Sequence, residues 1–173
     1  PSPDGMQRDW GYVAYQDGIL YGTSTLRAEL SDALKRRGRT VESATDAIFA
    51  VDLKTGTRKW HYQLVHHTVW NFDVSTAPIL ADITVNGRAI KAIAQPTKQG
   101  WSYVFDRGTG QPVWPIEERP VPQSDVPGEK TSPTQPFPIK PPPYDHQGVT
   151  TDNLIDFTPE LRAEAVKLMS RYK

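Results

Sequence analysis

The stretch Ala50-Val-Asp-Leu-Lys-Thr-Gly-Thr-Arg-Lys-Trp60 returns 54 residues further on as Val104-Phe-Asp-Arg-Gly-Thr-Gly-Gln-Pro-Val-Trp114, with aspartate, threonine, glycine and tryptophan in register. In each copy an alternating run, AIFAVD in the first and SYVFD in the second, enters a turn where Thr-Gly supplies a permissive backbone. A second run then carries the tryptophan. Each copy therefore reads as a hairpin, and the same large aromatic at the same place in both points to a repeated unit of structure.

The neighbouring sequence extends each hairpin to four strands. Upstream, Gly11 to Thr25 holds two short β-rich runs around Asp17-Gly18, a dipeptide that favours a tight hairpin turn. Between the copies, Ala77-Pro-Ile-Leu-Ala-Asp-Ile83 and Ala89-Ile-Lys-Ala-Ile-Ala-Gln95 read as two more strands, joined through Asn86-Gly87. Four-stranded antiparallel units that recur every roughly 40 to 55 residues are the signature of propeller blades. The expected fold is all-β: a partial β-propeller of about two four-stranded antiparallel blades, over residues 11–63 and 77–120, each with its tryptophan docking motif. A β-sandwich with two coincident turns is the competing architecture. Two blades cannot close a ring, since propellers begin at about four, and an open pair leaves apolar blade faces in water. Residues 1–173 are thus expected to form part of one larger propeller domain.

Outside the blades the pattern changes. Leu26 to Thr45 is polar and charged, with Leu26, Leu30 and Leu34 at helical spacing, and reads either as a short helical insertion or as an exposed loop. Pro112 to Pro143 holds 11 of the 16 prolines without periodicity, which predicts a proline-rich loop over 121–157. Linker and partner-binding roles fit the run Lys140-Pro-Pro-Pro143, while Phe137 and Tyr144 could also pack onto the body. A helix over 158–173 is announced by Thr158-Pro159-Glu160, an N-cap hydroxyl followed by proline and an acid in the first turn. Its stripe of Leu161, Ala165, Leu168, Met169 and Tyr172 is expected to pack.

Twenty basic residues balance twenty acidic ones and no basic run is interleaved with aromatics, so nucleic acid is not an expected partner. The absence of cysteine removes disulfides, thiolate metal sites and cysteine nucleophiles. Adjacent His66 and His67 face opposite ways in a strand, so at most one lines a site, and their spacing does not suit zinc. The chain opens on proline without the layout of a signal peptide, consistent with a removed leader or a piece of something longer.

These residues resemble the PQQ-dependent dehydrogenases, quinoproteins built as eight-bladed propellers whose blades carry A-x-D-x-x-T-G-x-x-x-W. Ala50 to Trp60 matches that motif in full, and Val104 to Trp114 departs only at its leading valine. Trp60-His-Tyr-Gln-Leu-Val-His-His-Thr-Val-Trp-Asn-Phe-Asp73, Ala81-Asp-Ile-Thr-Val-Asn-Gly87, Thr97-Lys-Gln-Gly100 and Ser132-Pro-Thr-Gln-Pro-Phe137 are similar to the membrane-associated glucose dehydrogenase branch. The resemblance implies pyrroloquinoline quinone (PQQ) beside a divalent cation, usually calcium. It also implies oxidation of a sugar or alcohol hydroxyl, with electrons passing to ubiquinone or a cytochrome in the periplasm. The remaining blades would complete the site, so these residues alone are expected to be inactive and to bind PQQ negligibly.

In the family an aspartate follows the tryptophan of His-His-x-x-Trp-Asp and takes the substrate proton, and a cofactor-contacting cation follows 27 or 28 residues later. Lys98 stands 27 residues after position 71, where that cation belongs, but position 71 is asparagine. A carboxamide cannot serve as general base, although its oxygen can ligate calcium. Asn71 is therefore the candidate metal ligand at the family's base position, and Asp73, or a carboxylate from another blade, is the candidate base. In an extended segment Asp73 would share a face with residue 71, about 7 Å on. Lys98, Trp70 and His67 are the candidate cofactor contacts, with packing the other role open to Trp70. The rival readings are an inactive site and a propeller scaffold that binds proteins without cofactor.

Overall fold

The computed structural model describes residues 8–26, 36–37 and 47–172. Its first unit is an antiparallel sheet of β1 (Arg8–Gln16), β2 (Ile19–Leu26), β3 (Ala47–Asp52) and β4 (Arg58–Gln63), in the order β1-β2-β3-β4. Gln16 pairs with Ile19, so Asp17-Gly18 makes a two-residue turn, both residues at positive φ (52° and 78°). That backbone matches the twist of the strands it joins. The insertion read over Leu26 to Thr45 lies outside the described residues, apart from Leu26 and residues 36–37.

The second unit contains β5 (Ile79–Val85), β6 (Arg88–Pro96) and β7 (Ser102–Asp106), in the order β5-β6-β7. Asn86-Gly87 closes its first hairpin, again with both residues at positive φ (50° and 75°). In place of a full fourth strand there is one bridge, Phe105 to Pro112, and the Val113 N–H donates to the Val104 carbonyl at 2.8 Å. Pro112 and Pro115 lack the amide hydrogens that a longer ladder needs, so the repeat's last strand stops after its first bond.

The two repeat turns have the same hydrogen bonds. In the first, Asp52 Oδ1 accepts from the Lys54 and Thr55 amides, and the Gly56 N–H donates to the Asp52 carbonyl. In the second, Asp106 Oδ1 accepts from the Gly108 and Thr109 amides, and the Gly110 N–H donates to the Asp106 carbonyl. Thr55 and Thr109 hydroxyls accept from the amides two residues on. The aspartates are thus turn-builders, as short polar side chains at such positions commonly are. The Thr55 amide bond holds the Asp52 carboxyl below the usual carboxylate range, assisted by Lys59.

Trp60 joins the two sheets. Its indole Nε1–H donates to the Arg107 carbonyl at 2.9 Å, and its ring lies against Gly110, where a Cβ would come within 2.6 Å of Trp60 Cγ. Phe105 extends this contact, with ring centroids 6.1 Å from Trp60 and 4.9 Å from Tyr62. One core follows: Tyr21, Ile48 and Ala50 from the first sheet, Ile93, Tyr103 and Phe105 from the second with Trp101 from its β6–β7 turn, and Leu64, Val65 and Val74 from the connection between the sheets. The other face of the second sheet buries Ile90, Ala92 and Val104, with Trp114 packed against them.

Register sorts the loops into two sets. Ile19 pairs with Asp52 and Ala92 with Asp106, so the turns at 17–18, 53–57, 86–87 and 107–111 lie at one end of the sheets. Ala47 pairs with Gln63 and Pro96 with Ser102, which puts 64–78 and 97–101 at the opposite end.

Beyond Trp114 the proline-rich region is more ordered than its composition predicts. β8 (Ile116–Pro120) pairs with β9 (Thr134–Pro138) as a two-stranded ribbon, where prolines are tolerated because half of each strand's amides have no ladder partner. A single 3-10 turn at Thr151–Asn153 leads to α1 (Pro159–Met169), capped by the Thr158 hydroxyl, which accepts from the Leu161 amide at 3.3 Å. Its apolar stripe packs only in part: Ala165 and Met169 are half-buried, while Leu161, Leu168 and Tyr172 are exposed.

Gly56 and Gly110 separate backbone strain from docking. Both sit at positive φ (69° and 75°), but a Cβ on Gly56 would meet nothing within 4 Å. Gly56→Ala should cost about 1–2 kcal/mol of left-handed strain, and Gly110→Ala about 1–3 kcal/mol more from overpacking against Trp60. Urea unfolding of both variants checks this, and equal losses would remove the docking contact from the account.

Candidate functional site

The strands stop at Gln63 and resume at Ile79, so residues 64–78 must satisfy their backbone without a ladder. They first pass through the core as Leu64 and Val65, both buried, and then emerge. The Trp70 amide donates to the Thr68 hydroxyl at 3.1 Å, and the Phe72 N–H donates to the Trp70 carbonyl at 3.0 Å. That second bond spans three residues and makes a tight turn centred on Asn71. The extended geometry expected there is thus replaced by a bend. Asn71 is exposed, Phe72 and Asp73 are half-buried, and Val74 returns to the core. Trp70 and Phe72 rings lie 5.5 Å apart, so Trp70 has a packing partner.

Lys98 lies in the β6–β7 turn, and its backbone meets the same loop. The Lys98 N–H donates to the Asp73 carbonyl at 3.4 Å, a long bond that joins the two segments directly. Beside it, the Thr76 hydroxyl donates to the Pro96 carbonyl at 2.7 Å, and buried Gln95 donates through Nε2 to the Thr76 and Pro96 carbonyls. Gln95 Oε1 is left buried without a hydrogen-bond partner. The turn itself is closed by the Thr97 and Gly100 amides, which donate to the Trp101 and Thr97 carbonyls. The Lys98 side chain is exposed above this fixed backbone.

The two histidines differ. His66 Nε2 and Glu118 Oε1 are 2.9 Å apart, and Glu118 Oε2 accepts from the Thr134 hydroxyl at 2.8 Å. Buried Gln135 pairs with the His66 backbone, its Oε1 accepting the amide at 2.8 Å and its Nε2 donating to the carbonyl at 3.2 Å. His67 is exposed, and its carbonyl accepts from the Ser132 amide at 2.7 Å. Partial burial pushes the Glu118 carboxyl up, but the hydrogen bonds from His66 and Thr134 outweigh it and leave the group below its usual range. Burial also pushes the Tyr103 hydroxyl far above its ordinary value, and that hydroxyl donates to the Pro136 carbonyl at 2.7 Å.

Asn71, Asp73 and Lys98 therefore lie on adjoining loops at one end of the paired sheets, with Trp70 and His67 on the first of them. The donor types that these loops carry, an ammonium, a carboxylate and a carboxamide, fit one wall of a site for a quinone cofactor. A metal centre made of these residues alone does not fit: among the described residues no group of three or more histidine, cysteine, aspartate or glutamate side chains is placed to hold an ion. Calcium takes roughly six to eight oxygen ligands, far more than Asn71 and Asp73 offer. Gln95 and Gln135 hold this region without any sign in the sequence, and Tyr144, expected only to pack, joins them. Their contacts span many positions and have no local pattern to announce them.

Docked antiparallel sheets with tryptophan turns define a propeller-type blade pair, and the family follows from the chain itself. Residues 26–173 match the family described as "PQQ: Glucose/ethanol/alcohol dehydrogenase, beta-propeller domain", and the protein belongs to that family. It is 37% identical over 127 residues to the glycerol dehydrogenase large subunit of Gluconobacter thailandicus, covering 72% of this chain and 17% of that one. It is 45% identical over 96 residues to the quinoprotein glucose dehydrogenase of Escherichia coli K12, covering 56% and 12%. Among solved structures, a europium-containing methanol dehydrogenase aligns with TM-score 0.46 and 26% identity over 75% of this chain and 22% of that one. The chain thus spans about a sixth or less of the length of these curated relatives. Among the described residues no helix is long and apolar enough to cross a membrane.

Because Glu118 is held below its ordinary pKa in the folded state, its contribution is present above the unfolded value and is lost as pH falls through the folded one. Wild type should therefore exceed Glu118→Gln in stability at neutral pH, with the gap closing as the pH falls below the usual carboxylate range. Urea unfolding of both across that range tests this; a gap that persists in acid would mean that the His66–Glu118 pair does not stabilise the fold.

Proposed function

We propose that this chain forms two neighbouring blades of a PQQ-dependent dehydrogenase that oxidises a sugar or alcohol hydroxyl, and that it supplies one wall of the central site. The observation that carries the reading is the backbone bond from Lys98 to Asp73, which draws the expected cofactor cation and the expected base onto adjoining loops. The open blade faces agree with it, since Trp10, Tyr12, Val13 and Tyr15 on β1 are exposed and would be covered by a preceding blade.

Bound PQQ would supply the two-electron acceptor. The chain's own residues then divide the work. Lys98 presents a fixed positive charge, which stabilises oxygens that gain negative character in a site of low polarity. Asp73 accepts the proton of the substrate hydroxyl, a task open to a carboxylate and closed to the carboxamide of Asn71. Asn71 gives its amide oxygen to calcium or another divalent cation, whose remaining oxygen ligands come from other blades. Trp70 and His67 bound the cofactor side of the loop. Ubiquinone or a cytochrome takes the electrons, and the setting that goes with this reading is the periplasm, in association with the membrane.

The test uses the complete protein containing these blades, given PQQ and calcium, with dye reduction followed on glucose and simple alcohols. Wild type and Asn71→Asp should both turn over, whereas Asp73→Asn should lose about 10²–10⁴-fold in kcat, the usual contribution of a general base. Turnover by the Asn71→Asp protein alone would show that the native site lacks its base and would overturn the role given to Asp73.

A further inference from the structure

We infer that the proline-rich excursion is a brace that positions both halves of the candidate site, with Gln135 and Tyr144 as its positioning residues; the inference rests on the dehydrogenase reading above. Its sequence is open to linker and partner-binding roles as well as to packing on the body. The hydrogen bonds point inward instead.

One end of the excursion takes hold of the loop that leads to Asn71 and Asp73. Gln135, fully buried on β9, closes both backbone bonds of His66, as a facing strand would. Ser132 adds its amide to the His67 carbonyl, and Glu118 on β8 pairs with the His66 ring. The ribbon is itself tied to β7 by Tyr103, whose hydroxyl donates to the Pro136 carbonyl, and to the β6–β7 turn by Phe137, which meets the Trp101 ring at 5.8 Å. The loop therefore gains the fixed partner that its missing ladder denies it.

The other end takes hold of the turn that carries Lys98. The Tyr144 amide donates to the Gly100 carbonyl at 2.9 Å, and the Tyr144 hydroxyl donates to the Thr97 carbonyl. Gln147 Nε2 donates to the Gln99 carbonyl at 2.8 Å. Gly100 is what lets this segment close down, since it sits at φ 81° and a Cβ there would come within 3.0 Å of both Asp145 Cβ and Gln147 Nε2. Three carbonyls of residues 97–100 are thus held from outside the sheet. Between the two grips run Pro138, Pro141, Pro142 and Pro143, whose restricted φ keeps the connecting segment from slackening. Loop residues that must hold a fixed spacing gain from such support, because small misplacements in a site are costly to rate.

Tyr144→Phe and Gln135→Met separate the two grips. Tyr144→Phe removes one hydroxyl from an exposed ring and keeps the fold. Gln135→Met keeps the length of the side chain and removes both polar atoms that meet the His66 backbone. Hydrogen–deuterium exchange on the complete protein without cofactor should rise about five- to tenfold at 97–101 in Tyr144→Phe, and at 66–73 in Gln135→Met, with the sheets unchanged. In the PQQ-loaded protein kcat should fall about tenfold in each while KM for substrate stays within about twofold. Exchange that stays at the wild-type level in both variants overturns the brace. Faster exchange with unchanged kcat and KM overturns the positioning role. A wild type that does not turn over with PQQ defeats the dehydrogenase reading instead, and the exchange data still decide whether the excursion braces these loops.

Discussion

Everything in this structure depends on one flat contact, the Trp60 indole laid on the bare backbone of Gly110 with its N–H on the Arg107 carbonyl. The contact needs three things at once: an aromatic large enough to bridge two sheets, a residue without Cβ beneath it, and a carbonyl turned toward the ring edge. The Asp106 turn provides the last two, since its side chain gathers the Gly108 and Thr109 amides and leaves the Arg107 carbonyl outward. A buried indole N–H without a partner would cost about 1–3 kcal/mol, so geometry and hydrogen bonding select the same docked arrangement. The Arg107 guanidinium beside it is almost fully buried and pairs with Asp82 on β5 at 3.1 Å.

The candidate site is a consequence of that docking at the far end of the sheets. Once the blades are side by side, the connection from β4 to β5 and the β6–β7 turn have to share one end, and the Lys98 amide reaches the Asp73 carbonyl. The docked turns and the candidate site thus occupy opposite ends of the same strands. Residues that build the fold, such as Asp52 and Asp106, are separated from residues that are free to carry chemistry.

The repeat was legible because it is local. Asp, Thr, Gly and Trp each act within one turn, and Asp17-Gly18 and Asn86-Gly87 specify their hairpins by backbone preference alone. Lys98 and the Asn71 neighbourhood were legible only through resemblance, as no short-range pattern distinguishes them from surface residues. The bend at Asn71 and the ribbon of β8 and β9 were not legible. The bend is held by a single three-residue bond, and the ribbon by side chains such as Gln135 and Tyr103 that reach 69 and 33 positions along the chain. Proline content argued against a strand at Thr134–Pro138, but an isolated pair leaves half its amides without ladder partners, and prolines cost little there. The stripe of α1 follows the opposite course: its periodicity was plain, while Leu161, Leu168 and Tyr172 are exposed.

The most direct measurement is a crystal structure of the complete protein with PQQ bound. The Lys98 ammonium is expected at hydrogen-bonding distance, about 3 Å, from the quinone oxygens, with Asn71 and Asp73 on the same side of the cofactor. A structure that places the Lys98 ammonium on the outer rim of the ring, away from the cofactor and from both of those side chains, would contradict it.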